Sequence, residues 1–210
     1  MTLDEYCLQH SSLPVSTDAL AWIAHQTHIR TSRARMLCGP EEGGFLSAIS
    51  RMKAPERILE LGVFTGYSTV CLAEGLAEGG SIDAIEINDE LEDIIREGYA
   101  KAGISDKVNL LLGDAIDILP TLEGPYDLIY IDANKRQYPD YWRLVADKVR
   151  PGGIILADNT TWDGKVIEEP APRDAQTVGI LEFNDLVARD ERFRTVMLPM
   201  RDGLTIAIRL

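Results

Sequence analysis

Residues 57–69 read RILELGVFTGYST. An apolar run from Arg57 to Leu61 is followed by Gly62, three residues, Gly66, and a helix-forming segment that starts at Tyr67. A strand that ends in glycines and gives way to a helix is the opening unit of a doubly wound sheet, which binds ligands beyond the carboxyl ends of its strands. Glycines there let the backbone approach a ligand closely. The N-terminus of the following helix favours an anionic group.

The same alternation continues downstream. SIDAIEI (81–87) precedes a helix from Asp89, and VNLLLG (108–113) precedes a short helix from Ala115. YDLIYID (126–132) precedes a helix from Asp140, and GGIILAD (152–158) precedes a long loop. These runs are nearly continuous in Val, Ile and Leu, as strands buried on both faces must be. Strand alternating with helix predicts a parallel sheet covered by helices on both sides. The end of the chain departs from this. After a helix over Val178 to Arg189 come RTVMLP (194–199) and LTIAIRL (204–210), with Asp202-Gly203 supplying turn chemistry between them. A terminal hairpin makes at least one strand antiparallel.

Upstream, Asp18 to Arg35 has helix formers throughout, with Ser16 and Thr17 as candidate caps. A second helix over Glu41 to Met52 is opened by Pro40 and carries Phe45, Leu46, Ile49 and Met52 at helical spacing. We therefore expect one α/β domain over 1–210. Its first 53 residues form a helical N-terminal region.

The chain has 210 residues, 45% hydrophobic and 26% charged, which suits one domain with a substantial core. No apolar run approaches the ~20 residues of a membrane span, and the start MTLDEYCLQHSSLPV does not read as a secretory signal. The net charge of −13 repels phosphate backbones and anionic lipid, so neither nucleic acid nor membrane is an expected partner. Cys7, Cys38 and Cys71 have no zinc or disulfide spacing and read as reduced thiols of a cytoplasmic protein. His25 and His28 share a helix face without a matched third ligand, which is the pattern of a plain polar surface.

The glycine spacing is G-x-x-x-G, so the dinucleotide fingerprint G-x-G-x-x-G is not met. Glu86 closes the second strand, a little over ~20 residues from the glycine loop, where an acid accepts hydrogen bonds from ribose hydroxyls. A helix-capping role for Glu86 is the alternative, although Asp89 fills it better. Asp114 and Ala115 close the third strand, beside where an adenine would lie. Asp114 can equally be an N-cap. Glu86 alone does not separate NAD from S-adenosylmethionine (SAM).

The fourth strand ends in Asp132-Ala133-Asn134-Lys135 and the fifth in Asp158-Asn159. In a parallel sheet these ends share one edge, so Asp132, Asp158 and Asn159 converge as three oxygen ligands. Hard oxygen donors with room for water suit Mg²⁺, Ca²⁺ or Mn²⁺. A lone Asp at a strand end is often a cap, but two such ends with a nearby lysine are harder to explain that way. Methyl transfer to oxygen needs a good nucleophile, and a phenol with pKa near ~10 is mostly protonated at neutral pH. A divalent cation stabilises the phenolate, and two adjacent hydroxyls chelating it fix one oxygen in line with the methyl group. Lys135 is placed to take the proton as general base; a surface lysine after a strand is the alternative.

These segments resemble the cation-dependent O-methyltransferases, the family of plant caffeoyl-CoA O-methyltransferases and animal catechol O-methyltransferase. The likeness runs from about Met36 to the C-terminus. It includes EEGGFL, ELGVFTGYS, EIN, GDA, YDLIYIDANKRQYPDYW, GGIILADNTTWDGKV, Phe183-Asn184 and LPMRDGLTIA. The resemblance implies the Rossmann-like class I methyltransferase fold, a seven-stranded mostly parallel sheet with an antiparallel C-terminal hairpin. It implies SAM contacts at Glu60, Gly62, Val63, Ser68, Glu86, Asp114, Ala115 and Asn134, and metal ligation by Asp132, Asp158 and Asn159. It also implies catalysis by Lys135 with Asp132 close to the reacting groups, substrate contacts at Trp162 and Asp163, and a homodimer. Three positions depart from the pattern. Asn134 stands where the family often has Asp, which removes a charge attraction to the methionine amine. Asp163 and Cys38 stand where the plant branch has Asn and Thr, so the acceptor is left open as a catechol-like phenol.

Two other functions compete. A nicotinamide-dependent oxidoreductase is opposed by the missing fingerprint, the missing Tyr-x-x-x-Lys pair and the terminal hairpin. A metal-independent small-molecule methyltransferase shares the cofactor segments and differs only at the cation.

Overall fold

The computed structural model describes residues 1–210 except Leu13 and Val15, and except the side chains of Leu3 and Asp4. Among the described residues seven strands form one sheet: β1 Arg57–Leu61, β2 Ser81–Glu86, β3 Val108–Leu112, β4 Tyr126–Ile131, β5 Val149–Asp158, β6 Phe193–Leu198 and β7 Leu204–Arg209. Their order is β3-β2-β1-β4-β5-β7-β6. The first five pair in parallel; β7 runs antiparallel to both β5 and β6. The hairpin therefore reverses one strand only, because β7 inserts between β5 and β6. The doubly wound, mostly parallel sheet expected from the sequence is the one observed.

Among the described residues eight α-helices accompany it: α1 Leu3–Gln9, α2 Thr17–Arg30, α3 Gly39–Lys53, α4 Tyr67–Ala73, α5 Glu92–Ala102, α6 Ala115–Ile118, α7 Tyr138–Val145 and α8 Ala175–Arg189. Strand side chains alternate between faces with period two. Ile58, Ile82, Leu128 and Leu156 meet Ile23, Leu46, Val70 and Ile95 from α2 to α5. Leu59, Ile129, Ile131 and Ile155 meet Leu119, Trp142, Val145 and Phe183 on the other face, under α7 and α8. Among the described residues no helix is long and apolar enough to cross a membrane.

Several boundaries differ from the sequence expectation. Helix α2 ends at Arg30 rather than Arg35, because Thr31 turns extended and Ala34–Met36 forms a 3-10 turn. Ser16 stands at its N-cap position without a side-chain cap bond. Helix α7 starts at Tyr138, two residues early, with Pro139 in its first turn. Strand β5 begins at Val149 and reaches the Gly152–Gly153 pair through a register shift opposite Tyr126. The expected loop after β5 contains a 3-10 segment, Trp162–Ile167, with Asp163 and Gly164 at positive φ.

The strand order reverses between β1 and β4, and this is the switch point where a doubly wound sheet opens a crevice. The carboxyl ends of β1, β2, β4 and β5 surround it.

Candidate active site

At the end of β1 the glycine loop is fixed from three directions. Gly62 donates its N–H to Ile85 at 3.0 Å, and Asp132 donates its own to Leu61 at 2.8 Å. Gly62 lies at φ +92°, and a Cβ there would run into the Asp132 carbonyl, 2.7 Å from its carbon. The glycine thus lets the ends of β1 and β4 close on each other, besides any ligand. Val63 is buried behind the loop. Glu86 accepts from the N–H of Phe64 at 2.6 Å and of Asn88 at 2.8 Å, which ties the loop to the end of β2. Each oxygen keeps a lone pair for a further donor, the arrangement a ribose diol requires. Burial raises the Glu86 pKa, and the N–H groups of Asn88 and Phe64 oppose the rise.

Glu60 is fully buried at the mouth of this crevice. Its Oε1 accepts from Ser68 Oγ at 2.5 Å, while Oε2 is buried without a partner among the described residues. Burial pushes its pKa up to about 7 against the Ser68 and Thr69 hydroxyls. A buried acceptor without a donor is costly, so this oxygen fits a ligand that brings one, such as the ammonium of a methionine moiety. Asp114 Oδ1 accepts from Ile116 N–H at 2.9 Å and caps α6, with Ala115 buried beside it. The capping alternative is thus realised for Asp114. Asn134 Oδ1 caps the Lys135–Gln137 turn through Arg136 N–H at 3.3 Å, and its side-chain amide remains available.

The register pair Ile131↔Ala157 sets Asp132 and Asp158 on adjacent strand ends. Asn159 follows at φ +59°. Lys135 is buried, 6% exposed, and its Nζ donates to Asp132 Oδ1 at 2.6 Å and to Tyr138 Oη at 2.7 Å. Tyr138 Oη in turn donates to the Asp158 carbonyl at 3.0 Å, which links the lysine to the end of β5. Beyond Asp158 stands Glu42 of α3, which accepts from Tyr130 Oη at 2.7 Å and pairs with Arg201.

Three carboxylates therefore crowd one place with two cations. Lys135 serves Asp132 and Arg201 serves Glu42. Among the described residues Asp158 has no ion-pair partner. Burial, then the charges of Asp132 and Glu42, push its pKa up to about 9. Among the described residues no three His, Cys, Asp or Glu side chains are grouped as a ready metal site. The available set is two carboxylates and the Asn159 amide. All are hard oxygen donors, a set that suits a divalent cation with water or substrate in its other positions, and a bound cation's charge would favour the ionised form of Asp158.

The loop after β5 is well anchored. Thr160 donates its N–H to Gly203 at 2.9 Å, Thr205 Oγ1 reaches Thr160 Oγ1 at 3.0 Å, and Asn184 Nδ2 donates to the Thr160 carbonyl at 2.9 Å. Trp162 leans onto the α7–α8 side with its indole N–H buried and without a partner among the described residues. The N–H of Asp163 donates to Asp202 in the β6–β7 turn. His25 and His28 are exposed on α2, away from this constellation. All three cysteines are free. Sequence reasoning gave no role to Glu42, Tyr138 or Arg201. The signals were there only in part: Glu42 lies in EEGGFL, Tyr138 stands three residues after Lys135, and Arg201 lies in a segment read as a turn.

A family model described as O-methyltransferase matches residues 9–210. Caffeoyl-CoA O-methyltransferase of Medicago sativa is 33% identical, over 99% of this chain and 88% of its own. Caffeoyl-CoA O-methyltransferase 1 of Eucalyptus globulus is 35% identical, over 83% and 75%. Among solved structures, an SAH-bound methyltransferase of Podospora anserina superposes with TM-score 0.90 at 30% identity, covering 99% of this chain and 94% of that one. An O-methyltransferase of Streptomyces achromogenes in complex with SAM, involved in tomaymycin synthesis, gives TM-score 0.86 at 30% identity over 91% and 89%.

Proposed function

This chain belongs to the O-methyltransferase family as a SAM-dependent enzyme, and on that premise we propose that it methylates one hydroxyl of a catechol-like phenol with the help of a divalent cation, Mg²⁺ before Mn²⁺ or Ca²⁺. The observation that carries the cation is the buried Asp158 carboxyl, without a positive partner among the described residues, beside Asp132 and Glu42. The caffeoyl-CoA O-methyltransferases among its relatives carry the acceptor class.

In this scheme Glu60, Gly62, Val63, Ser68, Glu86, Asp114, Ala115 and Asn134 line the SAM side of the crevice. Glu60 Oε2 takes a donor from the methionine end, and Glu86 takes the ribose hydroxyls. Asp132, Asp158 and Asn159 hold the cation. When bound, the cation supplies Lewis-acid stabilisation of the phenolate and a chelation point for two vicinal oxygens. Lys135 Nζ, in its neutral form, accepts the acceptor hydroxyl's proton as the oxygen forms its bond to the methyl carbon and the carbon–sulfur bond breaks. Tyr138 and Asp132 fix that nitrogen from two sides. Trp162 and Asp163 line the acceptor's entrance. The whole chain acts as one domain whose first 53 residues contribute to the acceptor site or to a homodimer contact.

The test is methyl transfer in Mg²⁺ to a catechol, a catechol flavonoid and a monohydroxylated phenol, read by mass spectrometry. We expect product from the vicinal diols only. Equal turnover of the monohydroxylated control would end the chelation account. In the same assay Lys135→Met should slow transfer by about 10²-fold or more at saturating cation, with SAM affinity unchanged. An unaltered rate and pH profile would remove Lys135 from the role of base.

A further inference from the structure

We propose that Glu42 is a positioning residue of the Asp132–Asp158–Asn159 cation centre, and that Arg201 restrains its charge. This rests on the cation assignment made above. Glu42 lies in the first turn of α3 and is 1% exposed. Its oxygens meet Tyr130 Oη at 2.7 Å and the Arg201 guanidinium, rather than the free N–H groups of the helix end. Tyr130 stands two residues before Asp132 on β4 and pairs in register with Leu156, two residues before Asp158 on β5, so Glu42 is held at the strand ends that carry both ligands. Arg201 donates to the Cys38 carbonyl as well, so the β6–β7 turn is clasped to the start of α3 over the carboxylates.

A buried ion pair of this kind is weak evidence for stability, since an apolar pair of the same volume does as well. Its placement against Asp158 gives it another use. A carboxylate beside a ligand raises the local negative potential and fixes the ligand's orientation, as outer groups of metal sites do. Arg201 pairs with Glu42 and acts in the opposite sense, since its positive charge repels a cation.

The two residues therefore have opposite effects on cation affinity. The experiment is Mn²⁺ titration of the full chain by calorimetry, with melting curves to confirm folding. Glu42→Gln should weaken Mn²⁺ binding by about tenfold or more, because it removes one negative charge and leaves Arg201 unbalanced. Arg201→Gln should tighten binding by about threefold. Lost packing would weaken both variants together, and that result overturns the proposal, as does an affinity of Glu42→Gln within twofold of wild type. If Glu42→Gln does not fold, Arg201→Gln alone decides: tightening supports the proposal and weakening overturns it. A wild-type chain that binds no Mn²⁺ refutes the cation assignment and this proposal with it. Wild-type binding that Glu42→Gln leaves untouched refutes only the role of Glu42.

Discussion

Asp158→Asn is expected to lose methyl transfer by on the order of 10³-fold and, in cation-free buffer, to melt above the wild-type protein. The two effects have one cause. Asp158 is 6% exposed, with the charges of Asp132 and Glu42 close by and no ion-pair partner among the described residues. Its folded pKa is pushed up to about 9 from an ordinary value of 3.8. The folded state therefore holds the Asp158 proton more tightly than the unfolded chain. Stability from that difference is complete below the unfolded pKa and is lost as pH rises through the folded one. The wild-type protein without cation should thus lose stability between about pH 4 and pH 9. The asparagine variant should show less of that loss, and the gap in melting temperature should widen with pH. Added Mg²⁺ should close it by raising the wild type alone. Melting curves at several pH values, with and without Mg²⁺, measure this. A variant that melts lower at every pH would show that the carboxylate stabilises the fold by itself.

Gly62→Ala is the second large effect, and it acts through the backbone. The residue lies at φ +92°, which side chains other than glycine adopt at a cost. The new methyl group would also meet the Asp132 carbonyl carbon at 2.7 Å and the Ala133 Cα at 3.1 Å. These are backbone atoms on a central strand end and cannot swing aside. Either the ends of β1 and β4 separate or the glycine loop shifts. We expect a stability loss of about 3 kcal/mol or more, and SAM affinity and turnover falling together, because Glu60, Glu86 and Asp132 all hang on this junction. Gly79→Ala is the matched control: it also has positive φ, at +76°, but nothing lies within 4 Å of its Cβ. A Gly62→Ala protein that binds SAM as tightly as the control would place the cofactor elsewhere.

The strands were legible because a two-faced sheet demands long runs of Val, Ile and Leu, and Ile58, Leu59, Ile129 and Ile155 each sit in such a run. The hairpin was legible from Asp202-Gly203. Asp132 and Asp158 were legible as neighbours because consecutive parallel strands bring their ends together. What could not be read depends on distance along the chain. Glu42 and Arg201 are 159 residues apart and meet only after α3 and the β6–β7 turn fold over the same edge. Tyr138 is close to Lys135 in sequence, but its bond to the Asp158 carbonyl needs β5 in place. Gly62 was legible as a special position, yet the neighbour it accommodates is the backbone of β4 as well as any ligand. The early end of α2 was hidden because Ser32 to Arg35 carries helix formers and no breaker, while the chain must still turn before α3.

The central claim is cation-dependent methyl transfer to a catechol. Its most direct test is turnover of SAM and a catechol by the wild-type chain in Mg²⁺, after chelation, and after Mg²⁺ is restored. The account predicts methylated product in the first and third conditions and none in the second. Product formed at an undiminished rate in chelator would contradict it.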